Sequence, residues 1–192
     1  VATTRGTFTA DIISIDLSAP TMRVLTVSAA RTDCADNCPV NSLADHVKRV
    51  TGIAGINGSY FCPLDYASCA TQDGSTYWAW YDSPTNAFTH LYQNQFNSGP
   101  LLVFDALNRP TLYSPAKDWP GKTSYEQVVG EKMRAGLSNG PLLVKNGAIV
   151  VTAGELDSKQ LTVHSNRSGM AMKGTTMLLV VAKSATVLDL GA

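Results

Sequence analysis

Three short segments of this sequence carry the residue types best suited to binding a ligand. An asparagine amide both donates and accepts hydrogen bonds, and glycine lets the backbone pass close to a ligand. The planar fork of an arginine matches two oxygens of a phosphate at once. The candidate binding residues are Asn57, Gly58 and Ser59 in the first segment, Asn139 and Gly140 in the second, and Arg167 in the third. Residues of these types can bind the polar or anionic groups of a ligand.

Each candidate also has a purely structural interpretation. Asn57 follows an apolar segment and is either a turn former at a strand end or a ligand-binding side chain. Gly140 either admits a ligand or serves turn geometry alone, and Arg167 is either a phosphate clamp or a structural ion-pair partner. His164, three residues before Arg167, is a candidate base or phosphate ligand, or a polar residue at a strand edge. The sequence does not rank the candidate carboxylates, which are Asp65, Asp73, Glu126 and Glu155.

Residues 62–98 are rich in polar residues, proline and aromatic residues, and they predict an irregular segment. A segment of this length without regular structure is often functional. Its cluster Tyr-Trp-Ala-Trp-Tyr includes Trp78 and Trp80, which either cover an edge of the core or form a stacking surface for a sugar ring.

The composition excludes two classes of partner. The 192 residues contain 15 Lys plus Arg and 15 Asp plus Glu, so the formal net charge is zero. We therefore expect no nucleic-acid partner and no anionic membrane surface. The longest apolar run, residues 177–182, is far too short to span a bilayer. No cofactor is expected.

The four cysteines occur in one window and lie among loop-forming residues. An even number of loop cysteines favours two disulfides in an oxidising compartment, whereas four thiolates could also bind zinc. The spacings fit zinc sites poorly, so we expect no metal. The predicted pairs are Cys34–Cys38 and Cys62–Cys69. Together with the low charged fraction, 16%, they predict a secreted or cell-surface protein.

Local patterns predict strands with few helices. Alternating apolar residues at 8–17 and again at 22–28 predict a hairpin, and Asn41 or Ser42 begins a helix that ends at Gly52. Residues 53–57 are predicted as a buried strand, and 124–129 and 131–137 as short helices. The final residues, 186–192, are typical of the beginning of a helix.

A repeat supports a sheet built from similar hairpins. The sequence Gly-Pro-Leu-Leu-Val begins at Gly99 and recurs at Gly140, with turns expected at residues 108–110 and at Asn146-Gly147. Residues 169–172 and 177–182 predict another hairpin. We therefore expect an α+β fold with mixed, largely antiparallel twisted sheets, pseudo-repeated hairpins and a few packed helices.

The three segments in their order resemble the phosphodiester glycosidase domain family. The family pattern is Asn-Gly-Gly-Phe-Phe, then Gly-Gly-Pro-Leu-Leu with a charged residue and Asp-Gly, then Arg-Thr-Ala-Ile-Gly. This chain has Asn-Gly-Ser-Tyr-Phe at 57–61, Asn-Gly-Pro-Leu-Leu-Val-Lys-Asn-Gly at 139–147, and Arg-Ser-Gly-Met-Ala at 167–171. Ser59 and Asn139 replace family glycines, and Lys183 and Ser184 stand where the family has Gly-Arg.

The resemblance implies a single domain over residues 1–192 whose last family motif, Leu-Asp-Gly-Gly-Gly-Ser, would follow Ala192. It implies hydrolysis of a sugar-1-phosphate diester in extracellular or cell-wall glycans. Arg167, with His164, would be catalytic, and the two asparagine–glycine segments would bind the glycan or sugar phosphate. The alternative is a non-catalytic carbohydrate-binding or structural cell-surface module on the same fold.

Overall fold

The structure is a computed structural model that describes residues 1–63, 65–89 and 99–192. The predicted irregular segment 62–98 therefore lies partly outside the described residues. These residues form four α-helices and twelve strands in antiparallel sheets, which confirms the predicted α+β class. Among the described residues, no helix is long and apolar enough to cross a membrane.

The elements follow one another along the chain, with long connections at residues 17–42 and 50–79. The strands are β1 (Ala2–Thr3), β2 (Gly6–Thr7), β3 (Ala10–Asp16), β4 (Trp80–Asp82), β5 (Ala87–Thr89), β6 (Leu101–Asp105), β7 (Pro110–Tyr113), β8 (Met133–Ser138), β9 (Val144–Lys145), β10 (Ala148–Ile149), β11 (Ser165–Lys173) and β12 (Thr176–Ala185). The helices are α1 (Leu43–Arg49), α2 (Lys122–Val129), α3 (Ser158–Thr162) and α4 (Val187–Gly191).

The chain divides into two compact units. The first unit joins Val1–Ala19 to Pro141–Ala192, and the second is Pro20–Gly140. The prediction of a single domain over residues 1–192 stays a prediction.

The first unit contains an antiparallel sheet in the order β11-β12-β3. Helix α4 packs on β11, where Leu190 lies against Gly169: a Cβ added to this glycine would come within 3.2 Å of the leucine Cδ2. Val151, Leu156 and Val187 form the buried cluster beside this sheet. The first unit therefore depends on the pairing of an N-terminal strand with a C-terminal hairpin.

The second unit contains a five-stranded antiparallel sheet in the order β5-β4-β8-β6-β7. Tyr81 of β4 and Tyr125 of α2 are almost fully buried in its core, together with Leu101 and Val103 of β6. Tyr81 meets Phe88 edge to face at a ring distance of 5.3 Å. The aromatic residues therefore fix helix α2 and the neighbouring strands around one core.

Several local predictions are confirmed. Ser42 caps α1 by accepting a hydrogen bond from the backbone N–H of Asp45. Asn146 and Gly147 both have positive φ in the turn between β9 and β10, which is the backbone that an Asn-Gly hairpin requires. The hairpins β6–β7 and β11–β12 form as expected, as does the helix within 124–129. The last residues form α4.

The predicted cysteine pairs are also confirmed. Cys34 is bonded to Cys38 and Cys62 to Cys69. The Cys62–Cys69 bridge closes a loop directly after the first motif, at Phe61. Both bridges lie in the second unit, so the loops around the first motif are covalently closed.

Three predictions of secondary structure are wrong. Residues 22–28 do not form a strand, and β3 pairs with β12 instead of with them. Residues 53–57 are not a strand, and Ile53 is 80% exposed. The predicted helix 131–137 is strand β8, which pairs with both β4 and β6. Its Met, Ala and Leu favour a helix in isolation, but pairing on two sides overrides that weak preference.

Candidate functional site

The first two motifs meet within the second unit. The side chain of Asn139 accepts a hydrogen bond from the backbone N–H of Tyr60 over 3.4 Å. Its amide donates to the carbonyl of Gly58 over 3.5 Å. One asparagine thus holds two backbone groups of the segment that contains Asn57, Gly58 and Ser59. Asn139 is the residue that stands in place of the family's first glycine in the second motif.

The two copies of the Gly-Pro-Leu-Leu-Val repeat hold the same tryptophan. A Cβ added to Gly99 would lie 1.9 Å from Cζ3 of Trp78, and one added to Gly140 would lie 3.2 Å from Cη2. Contacts under 3.0 Å between a Cβ and a ring are not tolerated, so Gly99 must lack a side chain. The repeat therefore has a packing function, which is to hold the Trp78 indole at the two glycines.

The aromatic residues near the first motif differ in exposure. Trp80 is only 6% exposed in β4, so its ring is not accessible to a ligand, and Trp78 is half-buried against the glycines. Tyr60 and Phe61 are 42% and 48% exposed. Sequence reasoning did not select these two rings, although their position directly after Asn-Gly-Ser was a usable signal.

Backbone hydrogen bonds hold the segment that carries the exposed rings of Tyr60 and Phe61. The backbone N–H of Tyr77 donates to the carbonyl of Tyr60 over 3.0 Å, and that of Cys62 donates to Ser75 over 2.8 Å. Phe61 lies between these bonds, in a bridge with Thr76. Since the Cys62–Cys69 disulfide begins at the next residue, the rings are held on a backbone that is fixed on both sides.

The third motif lies in the first unit, where Arg167 holds main-chain carbonyls. Its Nη2 donates to Val163 over 2.9 Å and to Lys159 over 3.3 Å, at the end of α3. Its Nε donates to the carbonyl of Ala185 over 3.3 Å. The carbonyl of Lys159 also accepts from the backbone N–H of Val163 over 3.0 Å, whereas carbonyls at the end of a helix, such as that of Val163, lack partners within the helix. Arg167 therefore stabilises the end of α3 and joins it to the end of β12.

Asp189 forms a polar cluster next to this motif in the same unit. It accepts a hydrogen bond from Arg5 Nε over 2.7 Å, and His164 Nε2 lies 3.9 Å from its second oxygen. Burial raises the pKa of Asp189, but the hydrogen bonds from Thr186 and the ion pair with Arg5 outweigh burial and lower the pKa to about 2. The carboxylate is therefore charged at neutral pH and belongs to the capping box of α4.

We expect Asp189→Asn to reduce stability at pH 7 and to flatten its dependence on pH. The folded pKa of about 2 lies below the ordinary value of 3.8, so the carboxylate stabilises the fold above pH 4 and loses this contribution as the pH falls towards 2. The difference corresponds to about 2 kcal/mol. Denaturant unfolding at a series of pH values measures it.

The exposed Asp65 provides the control for this experiment. Asp65→Asn should leave the free energy of unfolding at pH 7 nearly unchanged. An Asp189→Asn protein with the same acid sensitivity as the wild type would contradict the assignment of this stability to Asp189.

Two of the remaining candidate carboxylates, Glu126 and Glu155, have local partners. Glu126 accepts from Lys132 Nζ over 2.8 Å and from the backbone N–H of Met133 over 3.1 Å, and the bond from Lys132 lowers its pKa. Glu155 accepts from the hydroxyl of Thr152. The backbone N–H of Asp73 donates to Asp36, but the Oδ1 of Asp73 is buried without a hydrogen-bond partner among the described residues. Asp65 is exposed. None of these contacts involves a residue of the three motifs.

The described residues contain no group of three or more His, Cys, Asp and Glu placed to hold a metal ion. A depression of about 440 Å³ beside α2 is lined by residues that include Thr123, Glu126 and Lys132, and no motif residue lines it. The motif region of the second unit is thus an exposed surface of neutral polar and aromatic groups.

No protein-family model matches the chain, and no curated protein sequence matches it. The resemblance to phosphodiester glycosidases therefore depends on the three motifs alone. Asn57 and Gly140 belong to the second unit and Arg167 to the first, so the shared substrate site that the resemblance implies for them stays a prediction.

Proposed function

We propose that this protein is a hydrolase that cleaves a sugar-1-phosphate diester in extracellular or cell-wall glycans. The observation that supports this proposal is the meeting of the first two motifs at Asn139, which bonds to Tyr60 and Gly58 across a wide separation in sequence. The family resemblance requires such a meeting, since both motifs would bind the same substrate.

The chemistry of the motif surface suits a sugar. Asparagine and serine side chains can bond to hydroxyl groups, and exposed aromatic rings stack on the apolar faces of sugar rings. Tyr60 and Phe61 provide such rings beside Asn57 and Ser59. In this proposal these two residues take the stacking role that the sequence assigned to Trp78 and Trp80.

Arg167 would bind the phosphate in this proposal. Cleavage of the anomeric C–O bond leaves a phosphate monoester, so negative charge grows on the phosphate oxygens as the bond breaks. A guanidinium that bonds to two of these oxygens binds the transition state more tightly than the ground state. The three carbonyls that accept from Arg167 are neutral, and an anionic phosphate is a stronger acceptor.

His164 is the second proposed catalytic residue. It lies on the surface with its Nε2 3.9 Å from a carboxylate oxygen of Asp189, and a ring N–H of an imidazole can donate to a phosphate oxygen. No cofactor or metal takes part in the proposed reaction.

A non-catalytic carbohydrate-binding or structural module is the second candidate. It is supported by the bonds of Arg167 to three main-chain carbonyls, which give this residue a structural function without any substrate. In this candidate the surface around Asn139 binds a glycan and no bond is cleaved.

The two disulfides are compatible with an extracellular protein. We propose secretion or attachment to the cell surface, where a glycan partner would be present. Oligomeric state does not enter the proposal.

We expect Asn139→Ala to weaken binding of N-acetylglucosamine-1-phospho-methyl-mannoside about tenfold, because the substitution releases the segment that contains Asn57 and Tyr60. Calorimetry measures binding, and release of the phosphate monoester measures turnover. The matched control is Asn41→Ala, at an exposed asparagine next to the cap of α1.

The outcomes separate the candidates. Turnover by this chain, or by any longer native form of it, supports the hydrolase. Binding that Asn139→Ala weakens, without turnover in either form, supports the binding module. If the wild type neither binds nor cleaves the diester, or if Asn41→Ala weakens binding as much as Asn139→Ala, the assignment of this surface is wrong.

A further inference from the structure

A second polar cavity, of about 210 Å³, lies elsewhere in the second unit. It opens between the ends of β4 and β8 and includes none of the motif residues. The described residues that line it include two cations and no carboxylate, and those used below are Tyr81, Ser83, Asn86, Lys132 and Arg134. A cavity with this lining favours a negatively charged occupant.

Arg134 carries a donor without an acceptor. Its Nε is buried and has no hydrogen-bond partner among the described residues. Its Nη2 makes a long bond, 3.4 Å, to the carbonyl of Ala106. A buried polar group without a partner is rare, and arginine keeps its charge at every physiological pH. An oxygen ligand in the cavity would supply the missing acceptor.

The acids near Arg134 have other partners. Glu126 bonds to Lys132 Nζ over 2.8 Å and lies 3.8 Å from Lys122 Nζ. Asp105 bonds to Arg109 Nε, and the oxygens of Asp82 accept hydrogen bonds from Ser28 and Thr85. Within the described residues, none of these three carboxylates bonds to Arg134, so its guanidinium is not paired with an acid.

Asn86 adds a neutral donor to the same cavity. Its Oδ1 accepts hydrogen bonds from the hydroxyl of Tyr81 and from Lys122 Nζ, the latter over 2.9 Å. Because both bonds use the oxygen, the orientation of the amide is fixed, and its nitrogen is directed away from these two partners. Ser83 donates to the carbonyl of Arg134 over 2.7 Å, which fixes the backbone that carries the arginine.

We propose that this cavity binds a small oxyanion, a carboxylate or a phosphate group, through the Arg134 guanidinium with Lys132 beside it. The planar fork pairs with two oxygens of either group, and the volume is sufficient for a free phosphate or for the charged end of a larger ligand. The site shares no residue with the three motifs, so it does not depend on the proposed hydrolase activity.

The test titrates the full chain with inorganic phosphate and, separately, with acetate at constant ionic strength. Arginine Nε–Hε resonances in NMR spectra report on Arg134 directly, and calorimetry gives the affinity. We expect saturable binding with the largest shift at Arg134. Arg134→Gln should weaken binding at least tenfold, and Arg134→Lys should weaken it less, because the charge remains without the fork.

Arg31→Gln, at an exposed arginine outside the cavity, is the matched control and should bind as the wild type does. Tighter binding of phosphate than of acetate identifies a phosphate site, and the reverse identifies a carboxylate site. Equal shifts at Arg31 and Arg134, or no saturation with either anion, would overturn the proposal. If Arg134→Gln does not fold, the wild-type titration and Arg134→Lys still decide the question.

Discussion

In the proposed hydrolase, Arg167→Ala is expected to lower the rate of sugar-1-phosphodiester cleavage about a hundredfold, which corresponds to about 3 kcal/mol of transition-state stabilisation. The loss should appear in kcat as well as in kcat/KM, because the guanidinium is needed most when charge develops on the leaving phosphate. Phosphate-monoester release measures it.

The same substitution should also destabilise the fold. Arg167 donates to the carbonyls of Lys159, Val163 and Ala185, and these would lose a charged donor. Since the contacts at α3 are partly exposed to water, we expect a loss of about 2 kcal/mol in a thermal or denaturant melt. Assays must therefore be made well below the melting temperature of the variant.

Arg167→Lys separates the two functions of the residue. A lysine keeps the charge for a phosphate but cannot bond to α3 and to Ala185 at the same time, so we expect partial recovery of rate with little recovery of stability. A folded Arg167→Ala protein with wild-type turnover would remove Arg167 from the mechanism. A variant that loses stability alone would leave Arg167 as a purely structural residue.

Tyr81→Ala is expected to destabilise the protein by about 4 kcal/mol, because it removes a large ring from a well-packed core. Tyr81 is 1% exposed and packs edge to face against Phe88. Burial raises the pKa of its hydroxyl to about 12, so the hydroxyl stays neutral and remains a donor to Asn86. Denaturant unfolding at pH 7 measures the loss.

Tyr81→Phe is the matched control, because it keeps the ring and removes only the hydroxyl. We expect it to cost about 1 kcal/mol, the usual contribution of one hydrogen bond. If the two variants were equally unstable, the hydroxyl network at Asn86 would matter more than the packing of the ring, contrary to our expectation.

The sequence by itself determined the elements whose causes are local. Ser42 caps a helix because its side chain reaches a backbone N–H three residues later, and Asn146-Gly147 forms a hairpin because both residues adopt positive φ at low cost. Short separations also brought the cysteines into the predicted pairs. The α+β class follows from many such local signals.

The tertiary structure decided everything that depends on a distant partner. Strand β8 forms within residues 131–138, where a helix was predicted, because β4 and β6 pair with it on both sides. Strand β3 pairs with β12, which lies at the other end of the sequence. No local pattern specifies such a partner, since strand pairing is set by packing across the whole sheet.

For the site residues, too, the sequence identified the candidates and the tertiary structure determined their contacts. The motifs identified Asn139, Gly140 and Arg167 as candidates, but their neighbours came only from the fold: Tyr60 for Asn139, Trp78 for Gly140, and the end of α3 for Arg167. Arg134 had no signal in the sequence. Its proposed role in anion binding follows from a buried donor without an acceptor among the described residues, which is a property of the surrounding atoms and not of the residue type.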